Sequence, residues 1–318
     1  MASRHAILIA VFFLFLIINS GVFRAIEQNS SAQGENQVIM MTVTVWNRSG
    51  FVKGLKPESF TITDEKVVRP VEFFESSDAP VSIGILIDTS GSMDLPDLRE
   101  TARPKPIAEL IVHFLELSHP QNEYFLLGFN KTPKLLTDWS SGQEILSRST
   151  DIERGQGDTA FYDACLMGIE KLQTAHFSRR ALLLISDGQD NTSRHTFQDV
   201  RNRLRDSDVL LYAIGIMWPS DVGSSLGLEG QSILEELSDL TGGKTFVVKD
   251  KKREISAMAE VANELHNQYR IGFRSGLADP PNKWRRLKLE VAPPPNAPQE
   301  LRKLSFRTRR GYYTRQAP

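Results

Sequence analysis

A chain of 318 residues with 40% hydrophobic content can bury a substantial core, and its length allows one large or two modest domains. Lysine and arginine total 38 against 39 aspartate and glutamate, so no global field points to nucleic acid or to an acidic substrate. The single cysteine, Cys165, excludes an intrachain disulfide, and its place in an apolar helical pattern reads as a small packing residue.

The first segment has the anatomy of an export signal: Arg4 and His5, an apolar run from Ala6 to Ile18, then Asn19, Ser20 and Gly21. No small-x-small cleavage site follows, and Val22 and Phe23 lengthen the stretch toward the ~20 residues that span a bilayer. Residues 1–25 therefore read as a signal peptide or a membrane anchor through residues 6–23. Either way the protein is expected outside the cytoplasm: periplasmic, membrane-anchored or extracellular.

After a polar stretch, residues 38–78 read as β structure without helices. Val38 to Trp46 alternates apolar residues with Thr in the manner of a half-buried strand, and Ser59 to Thr63 and Val71 to Phe74 form two shorter strands. At Val81 the texture changes, because Val81 to Ile87 is a continuous apolar run of the kind buried on both faces by helices. Helices and strands then alternate over residues 81–268. The expected helices are Glu100 to Leu117 (entered near Pro106, since an interior Pro breaks a helix), Ala160 to Thr174, Phe197 to Asp206, Ser232 to Leu240 and Glu254 to His266. The expected strands are Tyr124 to Phe129, an edge strand near Lys134 to Leu136, Ala181 to Ser186, Val209 to Ile216 and Lys244 to Val248. This pattern predicts an α/β fold, a doubly wound, mostly parallel six-stranded sheet covered on both sides.

Residues 269–318 return to β structure, with Tyr269 to Phe273, Trp284 to Val291 and Leu304 to Thr308 as strands and a stiff linker at Pro293 to Pro295. The two β segments, 38–78 and 269–318, are expected to form one small sandwich-like domain into which the α/β unit is inserted. From Arg270 onward twelve basic residues face only Asp279, Glu290 and Glu300, and strand alternation assigns them to a solvated basic face.

Asp88-Thr89-Ser90-Gly91-Ser92 directly follows the first buried strand, and Asp187-Gly188 directly follows Ala181 to Ser186. Ligands in open α/β sheets bind outside the carboxyl ends of the strands, at the point where connections depart to opposite sides. Thr159, in the loop leading into the helix at Ala160, can join the two aspartates there. Carboxylate and hydroxyl oxygens are hard ligands, suited to Mg²⁺, Mn²⁺ or Ca²⁺ and poorly suited to zinc or copper. Asp158 is expected either to support the site from behind its ligands or to cap the helix at Ala160. Asp190, with Asn191 and Ser193, is expected either to support Asp187 from behind or to enter the following helix.

The pattern Asp88-x-Ser90-x-Ser92, then Thr159, then Asp187 resembles the metal-ion-dependent adhesion site of von Willebrand factor type A domains, and the resemblance covers roughly Val81 to His266. It implies that Ser90, Ser92 and Thr159 bind the ion directly or nearly so, that Asp88 and Asp187 often act through water, and that an open position accepts a carboxylate from a protein partner. The run Gly54 to Phe60 and the late Arg309-Arg310-Gly311-Tyr312-Tyr313 are similar to exported bacterial proteins of this type. A non-enzymatic, Mg²⁺-dependent adhesion or interaction module is the leading expectation. A metal-dependent hydrolase or phosphotransferase, and an envelope scaffold in which the ion only stiffens loops, are the alternatives. Against the first, no Walker-type loop, no convincing Ser-His-Asp set and no second carboxylate at position 90 is present.

Overall fold

The computed structural model describes residues 38–76, 79–93, 106–149, 152, 157–217, 223–249, 251–275, 280, 282–293 and 303–314. The apolar run from residue 6 and most of the proline linker lie outside them.

The chain begins with β1 (Val38–Asn47) and the short β2 (Gly50–Phe51), then β3 (Phe60–Asp64), β4 (Val67–Arg69) and β5 (Phe73–Glu75). The α/β region follows: β6 (Ser82–Asp88), α1 (Pro106–Leu117), β7 (Glu123–Phe129), β8 (Pro133–Ser140), α2 (Gly142–Ser149), α3 (Phe161–Lys171) and β9 (Arg180–Ser186). It continues through α4 (Phe197–Arg205), β10 (Leu210–Ile216), α5 (Ser225–Thr241), β11 (Lys244–Val248) and α6 (Lys251–His266). The last strands are β12 (Gln268–Arg274), β13 (Trp284–Val291), β14 (Ser305–Arg307) and β15 (Gly311–Tyr313).

Six strands form the central sheet in the order β11-β10-β9-β6-β7-β8, parallel except for β8 at one edge. Every residue of β6 is buried, as its unbroken apolar run requires of a strand covered on both faces. Alternation divides the contacts: Ile83, Ile85 and Ile87 meet Leu110, Ile111 and Phe114 of α1 and Met258, Val261 and Leu265 of α6. Leu86 and the neighbouring Leu182 and Leu184 meet Phe161, Cys165 and Ile169 of α3, Val200 of α4 and Leu234 of α5. Cys165 is wholly buried there, and burial pushes its thiol far above the ordinary range, which makes it inert packing.

Two antiparallel sheets, β14-β1-β12-β5 with β2 attached to β1, and β15-β13-β3-β4, share a third core that includes Val43, Val45, Ile62, Tyr269, Phe273 and Leu289. This is the small sandwich built from both ends of the chain. Tyr269 ties its loop in place, donating to the Val52 carbonyl at 2.8 Å and accepting from the Leu55 amide at 3.1 Å. Strand β5, which leads into the α/β region, pairs with β12, which leaves it, through Arg270 opposite Glu75. Entry and exit are therefore adjacent.

The elements differ from the sequence expectation where local pattern is weakest. Helix α2 was not expected, because its eight residues bury only Ile145 and Ser149. Helix α5 begins at Ser225 rather than Ser232, its first turns hidden by Gly227 and Gly230, both poor helix formers. Their smallness answers a tertiary need: a Cβ on Gly230 would lie 2.3 Å from the Asp187 carbonyl oxygen. The basic tail is also not simply a solvated face. Arg286 and Lys288 do point outward, but Arg285 is buried on Asp64 at 2.8 Å. Arg270, Arg307 and Arg309 turn toward the α/β region. Arg309 donates to the carbonyls of Arg205 and Ser207, Arg307 to the Gly242 carbonyl and the Glu264 carboxylate, and Arg270 approaches Asp208 at 3.5 Å.

Among the described residues no helix is long and apolar enough to cross a membrane.

Candidate metal centre

Strand β6 is central, with β7 on one side and β9 on the other, so the connections leaving it and arriving at β9 diverge at this point. A crevice opens between the carboxyl ends of β6 and β9. Ile87 lies opposite Ile185, which brings Asp88 level with Ser186 and places Asp187 one residue beyond.

The loop after β6 turns back on its own aspartate. The Asp88 Oδ1 atom accepts from the Ser90 hydroxyl at 2.6 Å and from the Ser90 amide at 3.0 Å, and Ser90 Oγ lies 3.1 Å from Ser92 Oγ. Ser186 fills the other oxygen, donating from Oγ to Asp88 Oδ2 at 2.7 Å while accepting from the Gly188 amide at 3.0 Å. Asp187 holds its own loop, its Oδ1 accepting from the Gln189 amide at 3.0 Å. Its Oδ2 is buried and has no hydrogen-bond partner.

Burial pushes the Asp88 carboxyl up to about 6, and the charge of Asp187 adds to the rise; the hydrogen bonds from Ser186 and Ser90 oppose it. Two carboxylates are thus held close enough to repel, in a place with little water and, among the described residues, with no cationic side chain bonded to either. Such an arrangement favours a bound cation, which would reverse both penalties.

Thr159 arrives from a third loop and is almost fully buried. Its side chain is not hydrogen-bonded to the other four residues; its backbone positions it. The Thr159 amide donates to Asn191 Oδ1 at 2.7 Å, and its carbonyl accepts from the amides of Asn191 and Thr192 at 3.0 and 3.3 Å. Gly91 donates to the Gly157 carbonyl at 3.2 Å, which joins the loop carrying Ser90 and Ser92 to the loop carrying Thr159.

Of the flanking candidates, Asp158 is exposed and does not cap α3, whose N-cap is Ala160 without a side-chain acceptor. The caps come from across the crevice: Asp190 Oδ1 accepts from the Tyr162 amide and Ser193 Oγ from the Asp163 amide. A short loop between Thr159 and Phe161 leaves no residue in position to do this locally, so the helix borrows its acceptors. Asp190 and Ser193 therefore serve α3, not Asp187, while α4 carries its own capping box of Thr196 and Asp199. His195 pairs with Asp163 at 2.7 Å and lies away from the crevice aspartates.

Ser186 was missed in the sequence. Its signal was a hydroxyl ending the run Ala181-Leu182-Leu183-Leu184-Ile185, a polar group in a fully buried strand that needs a specific partner.

The donor set fits a hard divalent cation: two carboxylates and three hydroxyls on three mutually bonded loops, with one buried carboxylate oxygen lacking a donor. Among the described residues no group of three acidic, histidine or cysteine side chains gathers, so the donor set must rely on hydroxyls.

The sheet order and its flanking helices define a doubly wound α/β domain carried on a β sandwich. The von Willebrand factor type A domain model matches residues 82–261, more than half of the chain, and the protein belongs to that family. Domains of this family are in general protein-interaction modules without catalytic activity. No curated protein matches the sequence. Similar solved structures include the conserved hypothetical protein BatB from Bacteroides thetaiotaomicron, 14% identical, covering 58% of this chain and 98% of its own, with a TM-score of 0.46. A von Willebrand factor type A protein from Catenulispora acidiphila is 12% identical over 86% of this chain and 74% of its own, with a TM-score of 0.47. The vWF domain of the type V pili tip protein Mfa5 from Porphyromonas gingivalis is 12% identical over 59% and 95%, with a TM-score of 0.46.

Proposed function

We propose that this protein captures a protein partner through a divalent cation, Mg²⁺ in the first instance, held by Asp88, Ser90, Ser92, Thr159 and Asp187. The observation that carries the reading is the buried Asp187 Oδ2, an acceptor facing neither donor nor solvent, beside a second buried carboxylate whose protonation burial favours. The cation would supply charge to both aspartates and an open coordination position. The hydroxyls of Ser90, Ser92 and Thr159 would orient it, and a carboxylate of the partner would complete the shell. The apolar segment at residues 6–23 supports a place outside the cytoplasm, where such a partner would be an envelope or surface protein.

Catalysis has less support, because among the described residues no imidazole or third carboxylate gathers with Asp88 and Asp187 to act as acid or base. The deciding experiment is affinity capture from cell-envelope extract with wild type and Asp88→Ala, with Mg²⁺ and with EDTA. Wild type in Mg²⁺ is expected to retain a partner that the other three samples lose. A partner retained in EDTA would end this reading.

A further inference from the structure

Resting on that reading, we infer that Asn191, which offers no ligand to the cation, is the positioning residue that sets Thr159 against Asp187 and so fixes the cation affinity of the site. Asp187 and Asn191 belong to one loop, whose first turn is set by the Gln189 amide on Asp187 Oδ1. Four residues after Asp187, the Asn191 side chain takes the Thr159 amide at 2.7 Å, and the amides of Asn191 and Thr192 take the Thr159 carbonyl. Both backbone groups of Thr159 are thus satisfied by the loop that carries Asp187.

Among the described residues the Thr159 amide has the Asn191 side chain as its partner. The peptide that carries the Thr159 carbonyl is held a second time, by the Ala160 amide on the Asn130 carbonyl at 2.6 Å, whereas the preceding peptide, which carries the Thr159 amide, is held by Asn191 Oδ1. Asp190 and Ser193, on either side of Asn191 and bonded to each other, accept from the amides of Tyr162 and Asp163 and so hold α3. The loop therefore has two separable contacts, one on Thr159 and one on the helix. Loss of a residue that orients a metal ligand from behind typically weakens metal affinity by about 10–100-fold.

The test is titration of the full chain with Mn²⁺ and Mg²⁺ for wild type, Asn191→Ala, Ser193→Ala and Asp88→Ala, alongside thermal melting of each without cation. Asn191→Ala is expected to weaken cation binding at least tenfold. Ser193→Ala is expected to lower the melting temperature comparably and leave affinity unchanged. Should Asn191→Ala fail to fold, Asn191→Ser, which keeps a shorter acceptor, is expected to show the same loss at smaller size. Wild-type affinity in the Asn191 variants overturns the inference. So does a loss shared equally by Ser193→Ala, which would make Asn191 merely structural. If wild type and Asp88→Ala bind alike, the site itself is wrong and the proposed function falls with it.

Discussion

The two ends of the central sheet meet the same chemical situation with opposite solutions. At the amino end the helices finish, and their last carbonyls and negative dipole ends collect there. The chain supplies its own cations to them. Arg309 reaches the carbonyls of Arg205 and Ser207 beyond α4, Arg307 the Gly242 carbonyl at the end of α5, and Arg179 the Leu265 carbonyl near the end of α6 at 2.8 Å. At the carboxyl end, negative charge is again concentrated, in Asp88 and Asp187, and among the described residues the groups that donate to them are hydroxyls and amides. One end is neutralised from within by guanidinium groups. The other, under the proposed function, is completed by a cation from outside.

Breaking the self-completed end should cost most. Arg307→Ala strands the buried Glu264 carboxylate, and a loss of about 3 kcal/mol is expected in urea unfolding, the same with Mg²⁺ and with EDTA. At the open end, Gly230→Ala drives a Cβ into the Asp187 carbonyl and should destabilise by about 2 kcal/mol, weakening cation binding as α5 shifts. An unchanged Mn²⁺ affinity in that variant would show that α5 does not set the crevice. Ser186→Ala removes the donor to Asp88 Oδ2 and should cost about 1.5 kcal/mol in cation-free protein, a deficit that narrows when Mg²⁺ is added; a deficit independent of Mg²⁺ would count against Asp88 as part of the site. The smallest effect belongs to His195→Ala, whose exposed ring pairs with Asp163: about 0.5 kcal/mol or less by thermal melting, with cation binding untouched.

Much of this architecture can be read before folding. The unbroken apolar run of β6 announces a strand covered on both faces, and the polar pairings Asp88-Thr89-Ser90 and Asp187-Gly188 stand out because each interrupts such a run. What stays hidden is whatever depends on a partner far away in the chain. Arg309 cannot be assigned to the carbonyl of Arg205 from sequence, since 104 residues separate them, and alternation alone sends it to solvent. Asn191 looks like an ordinary turn residue until Thr159 is brought beside it. The strands β2, β4 and β15 are two or three residues long and carry too little periodicity to register. Helix α5 loses its first turns to two glycines that serve packing against the crevice instead of helix propensity.

The adjacency of β5 and β12 also has a mechanical meaning. Helix α6 ends at His266 and β12 begins at Gln268, so no slack separates the α/β domain from its base. Strand β12 lies inside its sheet, paired to β1 from Val38 opposite Arg274 to Thr44 opposite Gln268 and flanked by β5 on the other side. Under the proposed function, a pull on the crevice would reach β12 through this short connection, at a strand held by hydrogen bonds on both sides.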